Sequence, residues 1–433
     1  MQPHAANHVT NPNPNTLRHA NLPHDRGPLP VLAKPRRLPR SAAAVAGLAT
    51  LLTVTPSPAQ TGSSGAGSAV VPLSSVVADD DGISAPFSLG AMGIIPEFTY
   101  RYTQADDLRA RDGETRSTVI QDFSPGVIVL LGDKWTFGYR PTWRVYSDEG
   151  FVDRVNHYFN LDGATTYNDW HFALSQDYLS SEQSLAETGR QTGYDYFGTS
   201  FIFGAPINSK LGFEVETRQD MRFTDEFVDY RQWDGTAWVD YYIGPGLKVG
   251  VGAGASYVSV DPGADMSVTH GLVRLGVQAT RKIELDLRTG VESRDFRSGD
   301  RSNLSNTLLG LSLTYRPLET TTLTLGAGRD VSASYFRGLV TERERLSATL
   351  RQRLFGRLYL TLGVVEENTD YVSTETSQFE GREDERSIYS VGLSTSVFTR
   401  TRLAIFYRQS ENSSNLSDFE YTSDQFGFEV SIR

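Results

Sequence analysis

From Ile94 to Arg433 apolar and polar residues alternate with a period of two. Along Lys282–Arg294, Ile283, Leu285, Leu287, Thr289 and Val291 share one face, and Lys282, Glu284, Asp286, Arg288, Glu292 and Arg294 share the other. A helix would scatter those charges around its circumference, whereas a strand sets them all on one side. Leu211, Phe213 and Val215 oppose Lys210, Glu214, Glu216, Arg218 and Asp220 in the same way. Trp135, Phe137, Tyr139 and Trp143 oppose Lys134, Arg140, Arg144 and Tyr146, and Leu346, Ala348, Leu350 and Leu354 oppose Arg345, Arg351 and Arg353.

Such segments predict eighteen strands, at 94–103, 117–131, 134–147, 154–163, 168–181, 191–205, 209–221, 237–244, 247–260, 267–280, 282–294, 304–316, 320–333, 341–355, 357–371, 385–398, 401–411 and 421–433. Short joints are expected at Gly132-Asp133, Ala205–Ser209, Pro245-Gly246, Arg281, Pro317–Glu319, Gly356 and Thr399-Arg400. Longer polar loops are expected at 104–116, 148–153, 182–190, 222–236, 261–266, 295–303, 334–340, 372–384 and 412–420. Tight turns on one rim and longer loops on the other describe an up-and-down meander with an even strand number.

A soluble sandwich also alternates, so strand length and charge decide the class. Strands of about 13 residues exceed the usual 5–6 of globular sheets and suit a tilted bilayer crossing, which needs about 9–11. The polar face is dense in both signs, as a wide water-filled lining would be. Trp135, Tyr139, Trp143, Tyr241, Tyr257, Tyr315 and Tyr407 fall on the apolar face, several near strand ends, as an interfacial girdle requires. The predicted fold class is all-β: a transmembrane up-and-down antiparallel β-barrel of about 18 strands behind a disordered N-terminal leader.

Composition supports this and divides the chain. Of 19 prolines, 13 lie in residues 1–96, and four of seven histidines lie in the first 24. Residues 1–30 show no apolar period. Lys34-Pro35-Arg36-Arg37 and Arg40 precede the small, apolar run Ser41–Thr55 and then Ser57 and Ala59, the layout of a secretory signal peptide. The run is too short to span a bilayer as a helix. We therefore expect a disordered extension plus signal over 1–59, a flexible linker over 60–93 and the barrel over 94–433. Asp79-Asp80-Asp81-Gly82 lacks the alternate carboxylates of a calcium loop and reads as solvated linker. The formal charge of −11 leaves no basic footprint for nucleic acid.

The opening Phe87-Ser88-Leu89-Gly90 with Ile95-Pro96-Glu97-Phe98-Thr99-Tyr100-Arg101-Tyr102 resembles the first strand of the second family of bacterial β-barrel porins. Tyr407-Arg408-Gln409-Ser410 with Asp418-Phe419-Glu420-Tyr421 and Gly427-Phe428-Glu429-Val430 resembles that family's closing hairpin. The likeness covers 87–433 in layout. It implies an outer-membrane location and, in some relatives, association with exopolysaccharide export, and it brings no catalytic residues. The last strand alternates Phe426, Phe428, Val430 and Ile432 like an assembly signal but ends in Arg433 rather than an aromatic residue.

Chemistry-bearing motifs are few. With no cysteine, disulfides, thiolate metal sites and a Cys nucleophile are excluded. Gly250-Val251-Gly252-Ala253-Gly254-Ala255 fits a loose dinucleotide pattern, but its glycines alternate within a continuing strand and read as small lumen-facing residues. His157 projects outward, and the following Tyr158-Phe159 offers no hydroxyl nucleophile at a suitable spacing. Neither His171 nor His270 completes a hydrolase motif. No enzymatic activity, cofactor or metal site is expected.

The lumen charges are the one constellation with physical content. Basic residues cluster at Arg140 and Arg144, at Arg345, Arg351 and Arg353, and at Arg402 and Arg408. Glu214, Glu216 and Asp220 form one acidic group, with Arg218 among them; Glu284, Asp286 and Glu292 form another, with Arg288 among them. Opposed rows would set a field across a water-filled pore. The bland alternative is that they pair as salt bridges that brace the wall and fill the lumen. Loop 372–384, with Glu375, Glu380, Glu383 and Asp384 against Arg382, is expected to stay solvated.

The reading is an outer-membrane, porin-like channel for passive diffusion of small hydrophilic solutes. A receptor with an internal plug would need over a hundred residues before the barrel, and only 60–93 are expected there. The alternatives are a barrel for export or scaffolding of surface polysaccharide, and a loop-based adhesin or binding barrel with a closed lumen. Expected partners are outer-membrane lipid and lipopolysaccharide, the barrel-insertion machinery and the solutes, and a homo-oligomer is compatible.

Overall fold

The computed structural model describes residues 85–297 and 303–433; the expected leader and signal lie outside them. Nineteen strands follow one another: β1 (Phe87–Leu89), β2 (Met92–Arg109), β3 (Thr115–Leu131), β4 (Trp135–Tyr146), β5 (Arg154–Tyr167), β6 (Trp170–Leu185) and β7 (Arg190–Pro206). Then come β8 (Leu211–Thr224), β9 (Asp229–Gly244), β10 (Leu247–Asp261), β11 (Met266–Thr280), β12 (Ile283–Phe296) and β13 (Asn303–Leu318). The last six are β14 (Thr321–Ala333), β15 (Leu339–Phe355), β16 (Leu358–Ser373), β17 (Glu383–Phe398), β18 (Thr401–Ser414) and β19 (Tyr421–Ile432).

From β2 onward each strand pairs antiparallel with the next, and β19 pairs back onto β2, from Asp424↔Asp106 to Ile432↔Phe98. Eighteen strands thus close into a ring with no free edge, the arrangement that satisfies every ladder bond without water. β1 is additional. Beyond Ile432 the edge of β2 is bare, and Leu89↔Met92, Ser88↔Gly93 and Phe87↔Ile94 cover it. The ordered wall therefore begins at Phe87 rather than at Ile94.

The strand count and the alternation of short and long connections agree with the periodicity. The ends differ. The connections shrink to 110–114, 186–189, 225–228 and 374–382, because ladder pairing carries strands through polar sequence that period counting leaves as loop. β9 gains its extra length at one end, starting at Asp229 rather than 237: it pairs on both sides through Gly235, although no apolar face is visible there. The turn after β7 lies at 207–210, and β5 joins β6 through Asn168-Asp169, where Asn168 takes φ +53°.

Contacts between strands that are not neighbours identify the inside. Arg288 on β12 donates to Glu216 on β8 at 3.0 Å, and Arg274 on β11 donates to Glu214 on β8 at 2.6 Å. Strands lie about 4.8 Å apart, so a partner four strands away is about 19 Å along the wall and can be met only across the concave side. The charged face lines the lumen. The large exposed apolar side chains, such as Val251, Val291, Leu346, Ile405 and Phe426, lie on the outer face. On β4 the outer row Trp135–Val145 is interrupted only by Pro141. Ten steps of about 3.3 Å, tilted by about 40°, give an apolar band about 25 Å tall, the height of a membrane-spanning girdle.

The alternate glycines of β10 face inward, as the sequence suggests, because their neighbours need the room. A Cβ on Gly252 would approach the Trp238 ring to 2.6 Å, and Gly250 and Gly254 lie under Asp240 and His270. Small residues on one strand thus seat bulky side chains from β9 and β11.

Val251 is 59% exposed on the outer face, near the middle of the band. Val251→Arg should therefore weaken the barrel folded in lipid vesicles by about 2–4 kcal/mol, while Val251→Leu is neutral. Urea unfolding in vesicles measures this. An equally stable Val251→Arg protein would mean that this face meets water.

Candidate functional site: a charge-lined lumen with a clasped mouth

The lumen wall is a set of short ion-pair systems. Arg274 is the centre of the largest: its Nε donates to Asp240 at 2.8 Å, Nη2 also pairs with Asp240, and Nη1 reaches Glu214. Its guanidinium lies 4.4 Å from the Trp238 ring, with Arg288 at 5.0 Å. Stacking on an indole suits a planar, weakly hydrated cation. His171 approaches Glu214 at 3.5 Å from the other side.

The other residues expected to line the lumen make the following contacts. Arg140 pairs with Glu97 at 2.9 Å, Arg144 with Asp122 at 2.7 Å and Arg218 with Asp220. Glu216 meets Arg288, Glu284 meets Arg316 at 3.8 Å, and Asp286 lies half-buried near Lys248 and Glu284. Arg345 approaches Glu367 at 3.6 Å, Arg351 stacks on Tyr359 at 4.3 Å, and Arg402 donates to Ser394. Arg353 is exposed near the turn rim. Arg408 is inward, and its Nε, like that of Arg386, is buried without an acceptor among the described residues.

Periodicity missed Arg274, Asp240, Trp238, Glu367 and Arg386. Arg274 alternates with Leu272 and Gly276 on its own face, so no run of charge marks it. The signal available was the glycine series of β10, which announces bulky partners opposite.

Two hairpin tips meet at the loop end. Pairing of β13 with β14 stops at Leu309↔Arg329, while β14 and β15 continue together to Ala333↔Val340. Val331–Tyr335 and Leu339–Thr341 are then buried on both faces, which a wall strand with one side outward would not be. The tip of β6–β7 behaves alike: it outruns its neighbours at Ser180 and Tyr194, yet Ser181, Glu182, Leu185, Thr188 and Thr192 are buried. Both hairpin tips fold inward, from nearly opposite sides of the ring.

They meet at Glu187. Its carboxylate accepts from Ser334 Oγ at 2.7 Å and from the Tyr335 N–H at 2.8 Å. Arg222 donates to the Ser334 carbonyl at 2.8 Å, and the Val228 N–H donates to the Tyr335 carbonyl at 3.0 Å. Burial pushes the Tyr335 hydroxyl well above its ordinary pKa. Loop 374–382 locks the junction. Arg382, completely buried, donates to the Glu187 carbonyl at 2.8 Å and the Ala186 carbonyl at 3.2 Å, pairs with Asp384, and lies 3.4 Å from the Phe419 ring. Phe336, Phe379 and Phe419 pack edge and face above it. The solvated loop expected at 372–384 is thus corrected. Glu380 and Glu383 stay exposed, but Asp384 is buried against Arg382, Arg382 satisfies two backbone carbonyls, and Phe379 packs over the junction.

Against known proteins, no family model matches the chain and no curated protein matches it. Among solved structures it is similar to Pseudomonas aeruginosa OccK2 (OpdF) in complex with glucuronate, at 12% identity over 78% of this chain and 98% of that one, TM-score 0.42. It is similar to Pseudomonas aeruginosa OprD at 12% identity over 80% and 96%, TM-score 0.41. It is also similar to a bacterial polysaccharide outer membrane secretin, at 8% identity over 78% and 98%, TM-score 0.33. On its own register and faces, the chain is a transmembrane β-barrel of eighteen strands, consistent with the porin-type layout its first and last strands resemble.

Removing Glu187 leaves the Tyr335 N–H and Ser334 hydroxyl without their acceptor, a cost of about 1–3 kcal/mol confined to the clasp. Glu187→Ala should speed amide exchange at 181–192 and 331–341 while the wall strands stay protected, and Glu187→Gln should do so less. Loss of protection throughout the barrel would show instead that the clasp is part of the global fold.

Proposed function

We propose that this chain is an outer-membrane channel of porin type, carrying small hydrophilic solutes down their gradient through the barrel lumen. The carrying observation is that the lumen separates into walls of opposite sign. Asp162 and Asp177, on β5 and β6, hydrogen-bond to neutral partners, Ser175, Asn160 and Tyr158. Arg345, Arg351, Arg353, Arg386, Arg402 and Arg408 crowd β15, β17 and β18, where Glu367 is the main inward carboxylate at mid-wall. Paired charges brace the wall between these two sectors. Such a field orients dipolar solutes and biases ion passage without a cofactor.

The outward row Phe426, Phe428 and Ile432 on β19 supports delivery by the barrel-insertion machinery, and the apolar band supports residence among outer-membrane lipid and lipopolysaccharide. A second reading is favoured by the clasp. A barrel sealed at the loop end would act through its loops, as an adhesin, or would open for polysaccharide only with a partner.

Single-channel recording of the refolded protein separates the two. The channel reading expects steady conductance, raised by Glu187→Ala. Neutralising Arg345, Arg351 and Arg353 together should shift the reversal potential in a salt gradient toward cation selectivity, although Glu367 keeps Arg343 as a partner. An unchanged reversal potential removes that row from the pathway. A silent bilayer with both wild type and Glu187→Ala favours the sealed barrel.

A further inference from the structure

The eight tight turns divide by charge. The turns after β3, β5, β7 and β9 carry Asp133, Lys134, Asp169 and Lys210, which cancel. Those after β11, β13, β15 and β17 carry Arg281, Lys282, Arg357 and Arg400 against Glu319 alone. All four cations are exposed. Half of the rim is therefore a basic arc, and the long-loop end of the barrel is acidic.

The depth of these cations indicates what they meet. Phe355 lies two residues before Arg357 and Phe398 two before Arg400, on outward turn ends, and they are 73% and 68% exposed. Leu318, 62% exposed, ends the β13 side of the arc. Large apolar side chains so exposed at the foot of the apolar band lie in acyl chains, which sets the neighbouring cations at headgroup level. A soluble acidic protein would not reach that depth. A guanidinium there offers paired N–H donors to a phosphodiester, with the charge attraction short-ranged and screened by salt. We propose that the basic arc binds anionic phospholipid headgroups and so fixes the turn end of the barrel in the phospholipid leaflet. This rests on the reading of the chain as a membrane-spanning barrel, but not on its being a conducting pore.

The test is the full chain reconstituted in phosphatidylcholine vesicles with and without phosphatidylglycerol, using spin-labelled lipids to measure the preference of the barrel surface for the anionic lipid. One cation at a membrane surface changes binding by about fivefold. The wild type should prefer phosphatidylglycerol severalfold, less so as salt rises. R281Q/K282Q/R357Q/R400Q should lose most of that preference, and K134Q/K210Q should retain it. These positions are at turn tips, so the barrel itself should form in every variant. No preference in the wild type, or a preference equal in the fourfold variant, overturns the proposal. A wild type that enters neither kind of vesicle overturns the barrel reading itself, which is a different result.

Discussion

Hydrocarbon offers a backbone amide no hydrogen-bond partner, and that constraint organises the molecule. Each N–H and C=O of a spanning strand must be satisfied by another strand, so the sheet closes on itself. Closure creates an inside and an outside that are read by alternate residues of every strand. The outer row is then free to be uniformly apolar, and every polar need of the chain is displaced to the inner row. The dense charge of the lumen is a direct result.

Placed there, charges cannot remain independent. A guanidinium against a wall of low polarizability is costly unless paired or stacked. Most inward arginines accordingly sit beside a carboxylate or over an aromatic ring, and Arg274, held by Asp240, Glu214 and Trp238, has both. Where pairing is incomplete, as at Arg386 and Arg408 or at Asp162 and Asp177, the wall has a net sign. The mouth is governed by the same accounting at a smaller scale. Two hairpin tips that leave the ladder expose backbone groups, and Glu187, Arg222 and Arg382 satisfy them from opposite sides.

How much of this the sequence revealed follows from what period two encodes. Alternation reports which side a residue faces, so the strand count, the outward aromatic residues and the inward glycines of β10 were legible. It does not report which inward residue meets which, because partners such as Arg288 and Glu216 are brought together by ring curvature rather than by spacing. It also fails wherever both faces are buried. The tip of β6–β7 mixes Ser, Glu, Gln and Leu without a dominant face, and so 182–185 reads as loop although it is paired strand. Arg382 looked like surface because its binding partners, the carbonyls of Ala186 and Glu187, are backbone atoms that composition cannot show.

The strip formed by β1 has a further implication for how the ring is completed. Seventeen of the ring's pairings join consecutive strands, so each can zip up as a local hairpin with little loss of chain entropy. The β19–β2 seam instead joins residues more than 300 apart, such as Thr99 and Ser431. That makes it the slowest rung to find and the first place where a second, half-finished barrel could insert its own strand. By laying Phe87–Leu89 over Met92–Ile94, the chain cuts the open stretch of β2 to Ile95–Glu97, a template too short to hold a neighbour's strand.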